Sequence, residues 1–225
     1  MTRVSAIEGH RLWAPYYDAA SNPLLALESR MLAGVLDSPA SKLVVDAGCG
    51  TGRWTHILAE RGARVIGLDL CSAMLSQAAA KPGLRGRLVM ADAARLPIVS
   101  GIADITLSSF VIGYVRNLAR MFFELSRVTR PQGTVIVSDL HFEAAAAGWS
   151  RSFRAAGDVY EMEHVSRSAG EIAELAARSG LEPEFQIHGR FEAPERAIFE
   201  AAGKEHVFEG VSRIPAVWIA GWRRR

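Results

Sequence analysis

The sequence predicts an α/β fold, a doubly wound, mostly parallel sheet with helices on both faces. Three observations support this fold class. Apolar, β-branched runs alternate with helical patterns along most of the chain. The segments between successive strands are long enough to hold the helix that a parallel crossover requires. The first predicted strand is a continuous apolar run, which is typical of a strand buried on both faces. A chain of 225 residues, 49% of them hydrophobic, suffices for one such domain.

Each element follows from a local pattern. Helix ends are marked by Pro82-Gly83, by Pro131 and by Gly180, and the first helix is predicted to start at Asn22 and Pro23 and to run to about residue 37. The predicted helices after it run from the glycine turn to about 61 and over 72–81, 117–130 and 168–179. The predicted strands span residues 42–46, 63–69, 87–91, 103–109, 133–139, 183–188 and 216–222.

Two regions depart from the alternation of strands and helices. Residues 1–40 contain an aromatic cluster followed by the first helix, and we expect an N-terminal helical cover there. Residues 141–167 are rich in His, Trp, Phe and Tyr, and we expect a cap insertion. Both are expected at the C-terminal edge of the sheet, where α/β folds bind ligands. Residues 41–140 would be a cofactor-binding core and 168–225 the last part of the sheet, within a single domain of residues 1–225.

Composition narrows the possible partners. The net charge is +2, from 26 basic and 24 acidic residues, which gives no reason to expect a nucleic-acid partner. The two cysteines have no metal-ligand spacing, so we expect no metal site and a reducing, cytoplasmic setting. We expect neither a secretory signal nor a membrane span, because no apolar stretch approaches the ~20 residues that a span needs. None of these patterns sets the oligomeric state.

The glycine turn Gly48-Cys49-Gly50-Thr51-Gly52 follows the first predicted strand, and Asp69 ends the second. A carboxylate at that position accepts hydrogen bonds from ribose hydroxyls. The spacing is G-x-G-x-G, whereas dinucleotide sites use G-x-G-x-x-G, and no G-x-x-x-x-G-K-[ST] cradle for phosphates is present. The turn therefore predicts a seat for a nucleoside without phosphates. A close-packed turn with no ligand is the simpler alternative.

Five stretches together resemble the successive motifs of class I S-adenosylmethionine-dependent methyltransferases. They are VVDAGCGTGRW, VIGLDLCSAML, ADAARLP, ADITLSSFVIGYV and LSRVTRPQGTVIVSD, within about residues 42–140. The closest subgroup is the small-molecule, ubiquinone/menaquinone-methyltransferase-like type (methyltransferase type 11). The resemblance implies a Rossmann-like, seven-stranded sheet whose last strand is antiparallel. It also implies S-adenosylmethionine as cofactor, S-adenosylhomocysteine as product, and methyl transfer to O, C or N of a small-molecule acceptor.

The resemblance also implies roles for residues at the cofactor. Asp46 would orient the turn and the cofactor's amino group, and Asp69 would hold the ribose hydroxyls. Tyr17 would close the site, and Ser108 or Ser109 would lie near the methionine carboxylate. The remaining predicted contacts are Gly48, Cys49 and Gly50 beside the methionine, Leu70 and Met74 flanking the adenine, and Asp92 with Ala93 at the adenine amino group.

The acceptor side is expected to lie under the two cover segments. His141 follows the fifth predicted strand and is predicted to be a general base or to orient the acceptor. Tyr17 is the first candidate for closing the site and Tyr16 is the second. Both belong to WAPYYD, which resembles a segment that folds over the cofactor in related enzymes. His10 is a candidate for the mouth of the same site, with a merely solvated side chain as its simpler alternative. The predicted acceptor pocket further contains Trp149, Phe153 and His164, with packing in a small cap as their simpler alternative. It also contains Tyr114, which would orient a hydroxyl acceptor or, more simply, pack under the helix.

Two other functions fit parts of the sequence. A protein that binds S-adenosylmethionine without methylating, or that uses it for other chemistry, would keep the same glycine turn and Asp69. An NAD-dependent enzyme is the third possibility.

Overall fold

The computed structural model describes residues 1–19 and 21–225, and its strands form two sheets. The strands are β1 (Thr2–Val4), β2 (Leu43–Ala47), β3 (Arg64–Asp69), β4 (Leu88–Met90), β5 (Ala103–Ser109), β6 (Thr129–Leu140), β7 (Ser152–Ala155), β8 (Asp158–Met162), β9 (Leu181–Gly189) and β10 (Val217–Arg224). The large sheet has seven strands in the order β4-β3-β2-β5-β6-β10-β9. Only its last strand in the chain, β10, runs antiparallel to its neighbours. The predicted fold class is confirmed.

The helices are α1 (Ala6–Trp13), α2 (Pro23–Val35), α3 (Arg53–Glu60), α4 (Ser72–Ala79), α5 (Leu118–Val128), α6 (Phe142–Ala146), α7 (Ala169–Arg178), α8 (Ala193–Ala201) and α9 (Glu205–Val211). Asn22 begins α2 as predicted, since its side chain accepts a hydrogen bond from the Leu24 amide at 2.9 Å. Helices α1, α6, α8 and α9 were not predicted. Within the described part of the chain, no helix is long and apolar enough to cross a membrane.

The large sheet is buried on both faces. Val44 packs into the layer formed with α2 and α3, whereas the next residue, Val45, packs into the layer formed with α5 and α7. The same division separates Ile136 from Val135. Successive side chains of a strand point to opposite faces, so an apolar run serves both layers at once. This is why these strands read as continuous rather than alternating.

The small sheet joins the two predicted cover segments, residues 1–40 and residues 141–167. Strand β1 pairs in parallel with β8, which forms an antiparallel hairpin with β7. Helix α1 lies close on β8 at Gly9, where an added Cβ would be 2.4 Å from Cγ of Met162. We call β1, α1, β7 and β8 the cap. The N-terminal cover, predicted as helical, also contains a strand, because Thr2–Val4 pairs with a strand from the far half of the chain.

Candidate active site

A cleft with a volume of about 840 Å³ separates the cap from the C-terminal ends of the central strands. One half is lined by residues that follow β2 and β3, including the glycine turn. The other half is lined by the cap and by the segment after β5. We call these the turn half and the cap half. The cleft lies at the edge of the sheet where α/β folds bind ligands, as predicted.

The glycine turn exposes its backbone to the turn half. The amides of Gly48 and Cys49 both donate to the Leu68 carbonyl, at 2.7 and 2.9 Å. Gly48 has φ +85°, and a Cβ there would lie 2.3 Å from Cγ2 of Val111. At Gly50, φ is +55° and a Cβ would meet no atom within 4 Å. Glycine at these positions gives the backbone a left-handed path close to whatever occupies the cleft.

Asp69 fastens this turn to the end of β3. Its Oδ2 accepts from the Gly50 amide and its Oδ1 from the Cys71 amide, both at 2.8 Å. A carboxylate oxygen has two lone pairs, so each oxygen retains acceptor capacity for a hydroxyl. Asp69 lines the cleft, which suits the predicted ribose contact.

Asp46 is a buried polar group of the turn half whose hydrogen bonding is incomplete among the described residues. Its side chain is buried, and Oδ2 accepts from Oγ1 of Thr55 at 2.6 Å. Oδ1 is buried without a hydrogen-bond partner among the described residues. Burial raises the pKa of Asp46 to about 6, against the Thr55 hydrogen bond and the charge of Arg53. A buried carboxylate oxygen normally has a donor, and the amino group of a bound methionine would supply one.

The predicted adenine contacts also reach the cleft. Leu70 is 56% exposed at its rim, and Met74 is buried in its wall. Oδ1 of Asp92 accepts from the Ala94 amide at 2.8 Å, which folds the chain into a tight turn. Asp92 and Ala93 both line the cleft.

Ser108 does not reach the cleft. Its hydroxyl donates to the Ala47 carbonyl at 2.8 Å and the residue is fully buried. The next residue, Ser109, lines the cleft, because neighbouring residues of a strand point to opposite faces. Of the two serines predicted near the methionine carboxylate, Ser109 lies in the cleft wall and Ser108 does not.

A buried carboxylate that the sequence did not single out lies behind the turn. Glu28 of α2 is fully buried. Its Oε2 accepts from Nη2 of Arg53 at 2.7 Å and Nε1 of Trp54 at 2.9 Å. Its Oε1 accepts from the hydroxyls of Ser109 and Ser138, at 2.7 and 2.6 Å. Glu28 thus neutralises Arg53, which lines the cleft. No sequence signal marked it, because its partners are distant in the chain.

The N-terminal segment closes over the turn half. Tyr17 lines the cleft with its ring centroid 4.5 Å from that of Trp13, and burial raises the pKa of its phenol well above its usual range. Asp18 accepts from Oγ1 of Thr51 at 2.8 Å and from Nζ of Lys81 at 2.6 Å. Tyr16 is 42% exposed and does not line the cleft, which corrects its predicted place at the acceptor. Tyr17 remains protonated at neutral pH, so its hydroxyl is a donor rather than a base.

The prediction that His141 faces the acceptor is wrong. It is fully buried at the start of α6, where Nδ1 accepts from the Glu143 amide at 3.1 Å. Nε2 therefore carries the proton and donates to Nδ1 of His188 at 2.8 Å. Burial, with the neighbouring His188, lowers the pKa of His141 to about 4. Both ring nitrogens are engaged, and the backbone amide is held by the Ala216 carbonyl at the sheet edge.

Trp149 and Phe153 are structural and lie outside the cleft lining. Trp149 stacks on Phe191 with centroids 5.9 Å apart and packs against the core beside α2 and α3. Phe153 stacks between Trp13 and Tyr160, at 5.1 and 5.4 Å, inside the cap. Their predicted place in the acceptor pocket is wrong, since each buries its ring against other aromatic side chains.

The cap half instead has Tyr114, His164 and Arg151 in its walls, and Arg151 was not predicted. The Arg151 guanidinium is hydrogen-bonded to the buried Asp139, and its Cζ lies 4.6 Å from the Tyr114 ring centroid. Asp139 also accepts from the Gly113 amide at 3.1 Å. Burial raises the pKa of Tyr114 despite the positive charge of Arg151. The buried charges here are thus paired, and the phenol is neutral.

Residues 45–137 match the family model described as a methyltransferase domain. These residues form a methyltransferase domain. The predicted resemblance to class I S-adenosylmethionine-dependent methyltransferases is confirmed, since an S-adenosylmethionine-dependent methyltransferase structure from Mesorhizobium loti superposes with a TM-score of 0.69 at 25% identity, covering 88% of this chain and 98% of that one.

Other relatives share part of the chain or the fold alone. A malonyl-[acyl-carrier protein] O-methyltransferase from Serratia marcescens is 35% identical over 145 residues, which are 64% of this chain and 53% of that protein. The chain spans about half the length of the curated relatives it matches. The [4+2]-cyclase SpnF has the same fold, with a TM-score of 0.72 at 17% identity, covering 100% of this chain and 98% of that one.

Proposed function

We propose that this chain transfers a methyl group from S-adenosylmethionine to a small-molecule acceptor held under the cap. The observation that carries the proposal is the unpartnered, buried Oδ1 of Asp46 in the cleft beside the glycine turn. A cationic amino group satisfies this oxygen, and the turn lacks the features of a phosphate cradle.

In this proposal, each residue of the turn half contacts a different part of the cofactor. Asp46 accepts from the methionine amino group, and the backbone of Gly48–Gly50 runs beside the methionine. Asp69 accepts from the ribose hydroxyls while it keeps its two amide donors. Leu70, Met74, Asp92 and Ala93 form the adenine site. When bound, S-adenosylmethionine supplies a methyl group activated by its sulfonium.

The chain's contribution to the rate is alignment and exclusion of water. The Asp18 contacts to Thr51 and Lys81 hold the N-terminal segment over the turn. The β1–β8 pairing covers the acceptor side. Holding two reactants in line and out of water supplies much of the rate of a displacement at carbon.

The relatives named malonyl-[acyl-carrier protein] O-methyltransferases support a second candidate acceptor, a carboxyl group on an acyl carrier. In this chain, however, the buried cation of the cap half, Arg151, is neutralised by Asp139. We therefore favour an uncharged, largely apolar or aromatic acceptor.

The cytoplasmic location also remains a proposal, supported by free cysteines at 49 and 71.

Incubation with S-adenosylmethionine carrying a labelled methyl group, against a panel of hydroxyl, amine and carboxyl acceptors, tests the proposal. We expect label in at least one acceptor and formation of S-adenosylhomocysteine. Tight cofactor binding without transfer to any acceptor would favour a non-methylating protein, an outcome that the fold shared with a [4+2]-cyclase allows.

A further inference from the structure

His10 is a titratable side chain in the cleft that the proposed cofactor site does not use. It lies on α1 and lines the cleft. Its ring meets the Tyr114 ring edge-on, with centroids 4.9 Å apart and planes at 86°. Tyr114 follows β5, so the two rings bring the cap and the central sheet together at the cap half. Of the two alternatives for His10, the position at the mouth of the site agrees with the structure and the merely solvated side chain does not.

Hydrogen bonding fixes which ring nitrogen of His10 is basic. Nδ1 lies 2.7 Å from the Ala6 carbonyl oxygen, which can only accept, so Nδ1 carries the proton. Nε2 then presents a lone pair, and no hydrogen bond reaches it from the described residues. Burial lowers the pKa of His10, the charge of Arg151 acts in the same direction, and the charge of Asp69 opposes both. The ring is therefore neutral at pH 7.

We propose that His10 is the general base of this site and that it takes the proton from a neutral hydroxyl acceptor, of the phenol or enol class, bound in the cleft beside the contacting rings of His10 and Tyr114. The inference rests on the proposed methyl transfer and specifies its substrate class. It departs from a carboxyl acceptor, which is already ionised at neutral pH and requires no base.

The step balances without a further reactant. The acceptor oxygen attacks the methyl carbon of S-adenosylmethionine, and a C–O bond forms. The bond between the methyl carbon and sulfur breaks, and its electron pair remains on sulfur, which becomes a neutral thioether. The O–H proton passes to Nε2 of His10, and the resulting imidazolium carries the positive charge that the sulfonium loses.

The other titratable groups described above are less suited to accept this proton. Tyr17 and Tyr114 are protonated phenols, His141 is buried away from the cleft with both nitrogens engaged, and Asp139 is paired with Arg151. His164 is the competing candidate, since its Nδ1 lies 3.3 Å from the Met162 carbonyl. It lies on a wall that the cleft shares with a small neighbouring cavity, whereas His10 faces only the cleft.

The test compares His10→Gln with His164→Gln and with His206→Gln, an exposed histidine outside the site. Each variant is assayed with naphthol, a neutral aromatic hydroxyl, and with a malonyl thioester, an ionised acceptor. For His10→Gln we expect kcat on naphthol to fall by about 10²–10⁴-fold, the usual contribution of a general base. The affinity of His10→Gln for S-adenosylhomocysteine is expected to stay unchanged. The activity of the control variant His206→Gln is also expected to stay unchanged.

Two further readouts separate a base from a structural residue. In the wild type, kcat on naphthol should fall as pH drops through the ionisation of His10, and His10→Gln should lose that limb. Imidazole ¹⁵N spectra of the S-adenosylhomocysteine complex should show His10 neutral and protonated at Nδ1 at pH 7. A charged or Nε2-protonated His10, transfer to the thioester alone, or a loss confined to His164→Gln would overturn the assignment. Transfer to neither acceptor overturns it as well, and calorimetric cofactor binding then shows whether the cofactor site stands.

Discussion

Asp46 combines a cost in stability with a use in binding. A carboxylate with one unpartnered oxygen in a buried position is unfavourable, and its raised pKa expresses this. Functional sites commonly retain such groups because a ligand completes them. The apo protein should therefore be less stable than a variant without that charge, and the variant should bind the cofactor less well.

Asp46→Asn separates these two effects. We expect affinity for S-adenosylhomocysteine to fall at least about 10-fold, because the amino group loses a charged acceptor. The free energy of unfolding of the apo protein at pH 8 should rise by about 1–3 kcal/mol, the scale of a shift from 3.8 to about 6. Calorimetry and urea unfolding measure the two changes. A variant that loses stability and keeps full affinity would contradict this role.

The pH dependence of this contribution has a definite sign. The folded-state pKa of Asp46, about 6, lies above the unfolded value of 3.8. The proton is bound more tightly in the folded state, so the stability it contributes is present below pH 3.8 and is lost as pH rises through 6. The stability difference between Asp46→Asn and wild type should therefore shrink towards zero near pH 4. Cofactor affinity should decline as pH falls below 6, where Asp46 becomes protonated.

The ribose role of Asp69 calls for a test that excludes a loosened turn, since this carboxylate also holds the amides of Gly50 and Cys71. Asp69→Ala should weaken S-adenosylhomocysteine binding more than about 10-fold, given the worth of a hydrogen bond to a charged group. A 2′-deoxyribose analogue should bind wild type more weakly, yet bind Asp69→Ala as well as S-adenosylhomocysteine does. An equal loss of affinity for the analogue in the wild type and in Asp69→Ala would reject the ribose contact. The control is Asp37→Asn, a substitution at an exposed position.

At the scale of elements, the cap depends on a close approach that only a small residue permits. Gly9 lets α1 lie on β8 against Met162. A valine there must displace that side chain, which costs about 1–3 kcal/mol when a packed position is overfilled. For Gly9→Val we expect faster limited proteolysis in the cap and lower acceptor turnover, with cofactor affinity largely kept. Gly170→Ala, at a helix position with open space around it, is the control. Equal proteolysis rates in the two variants would contradict this packing role.

Local patterns predicted the elements of the large sheet well, because each strand and helix there carries its own signal. The apolar run of β2, the Asn22 cap and the stop at Pro131 lie within a few residues of what they specify. The two cover segments were predicted, but the strands that join them were not, because β1 is three residues long and its partner, β8, lies far along the chain.

The site was predicted where motifs determine backbone position and missed where side-chain direction decides. The glycine turn, Asp46 and Asp69 lie in the cleft, whereas Ser108 points away because one residue of register reverses a strand's face. His141 was misplaced because a strand-end histidine can turn inward as a helix cap, which no sequence pattern distinguishes from an outward one. Glu28, Arg151 and His10 depend on contacts across the chain.

At the scale of the molecule, Glu28 of α2 joins its own helix to α3 and to two strands of the central sheet. Its four donors come from α3, from the end of β5 and from β6. Removing one partner of a buried ion pair leaves the other charge uncompensated, so Glu28→Ala should lose about 3–5 kcal/mol in the free energy of unfolding. Glu28→Gln retains one acceptor oxygen and should lose less. Denaturant unfolding measures both, and equal stability of all three proteins would contradict the network's role.

For the whole molecule, the proposed function requires that the cleft between the sheet and the cap binds a phosphate-free nucleoside cofactor on the glycine turn, between Asp46 and Asp69. Isothermal titration of the wild-type chain with S-adenosylhomocysteine and, separately, with NAD tests this requirement. We predict saturable binding of S-adenosylhomocysteine at one site and no binding of NAD. Binding of NAD without binding of S-adenosylhomocysteine would contradict the account.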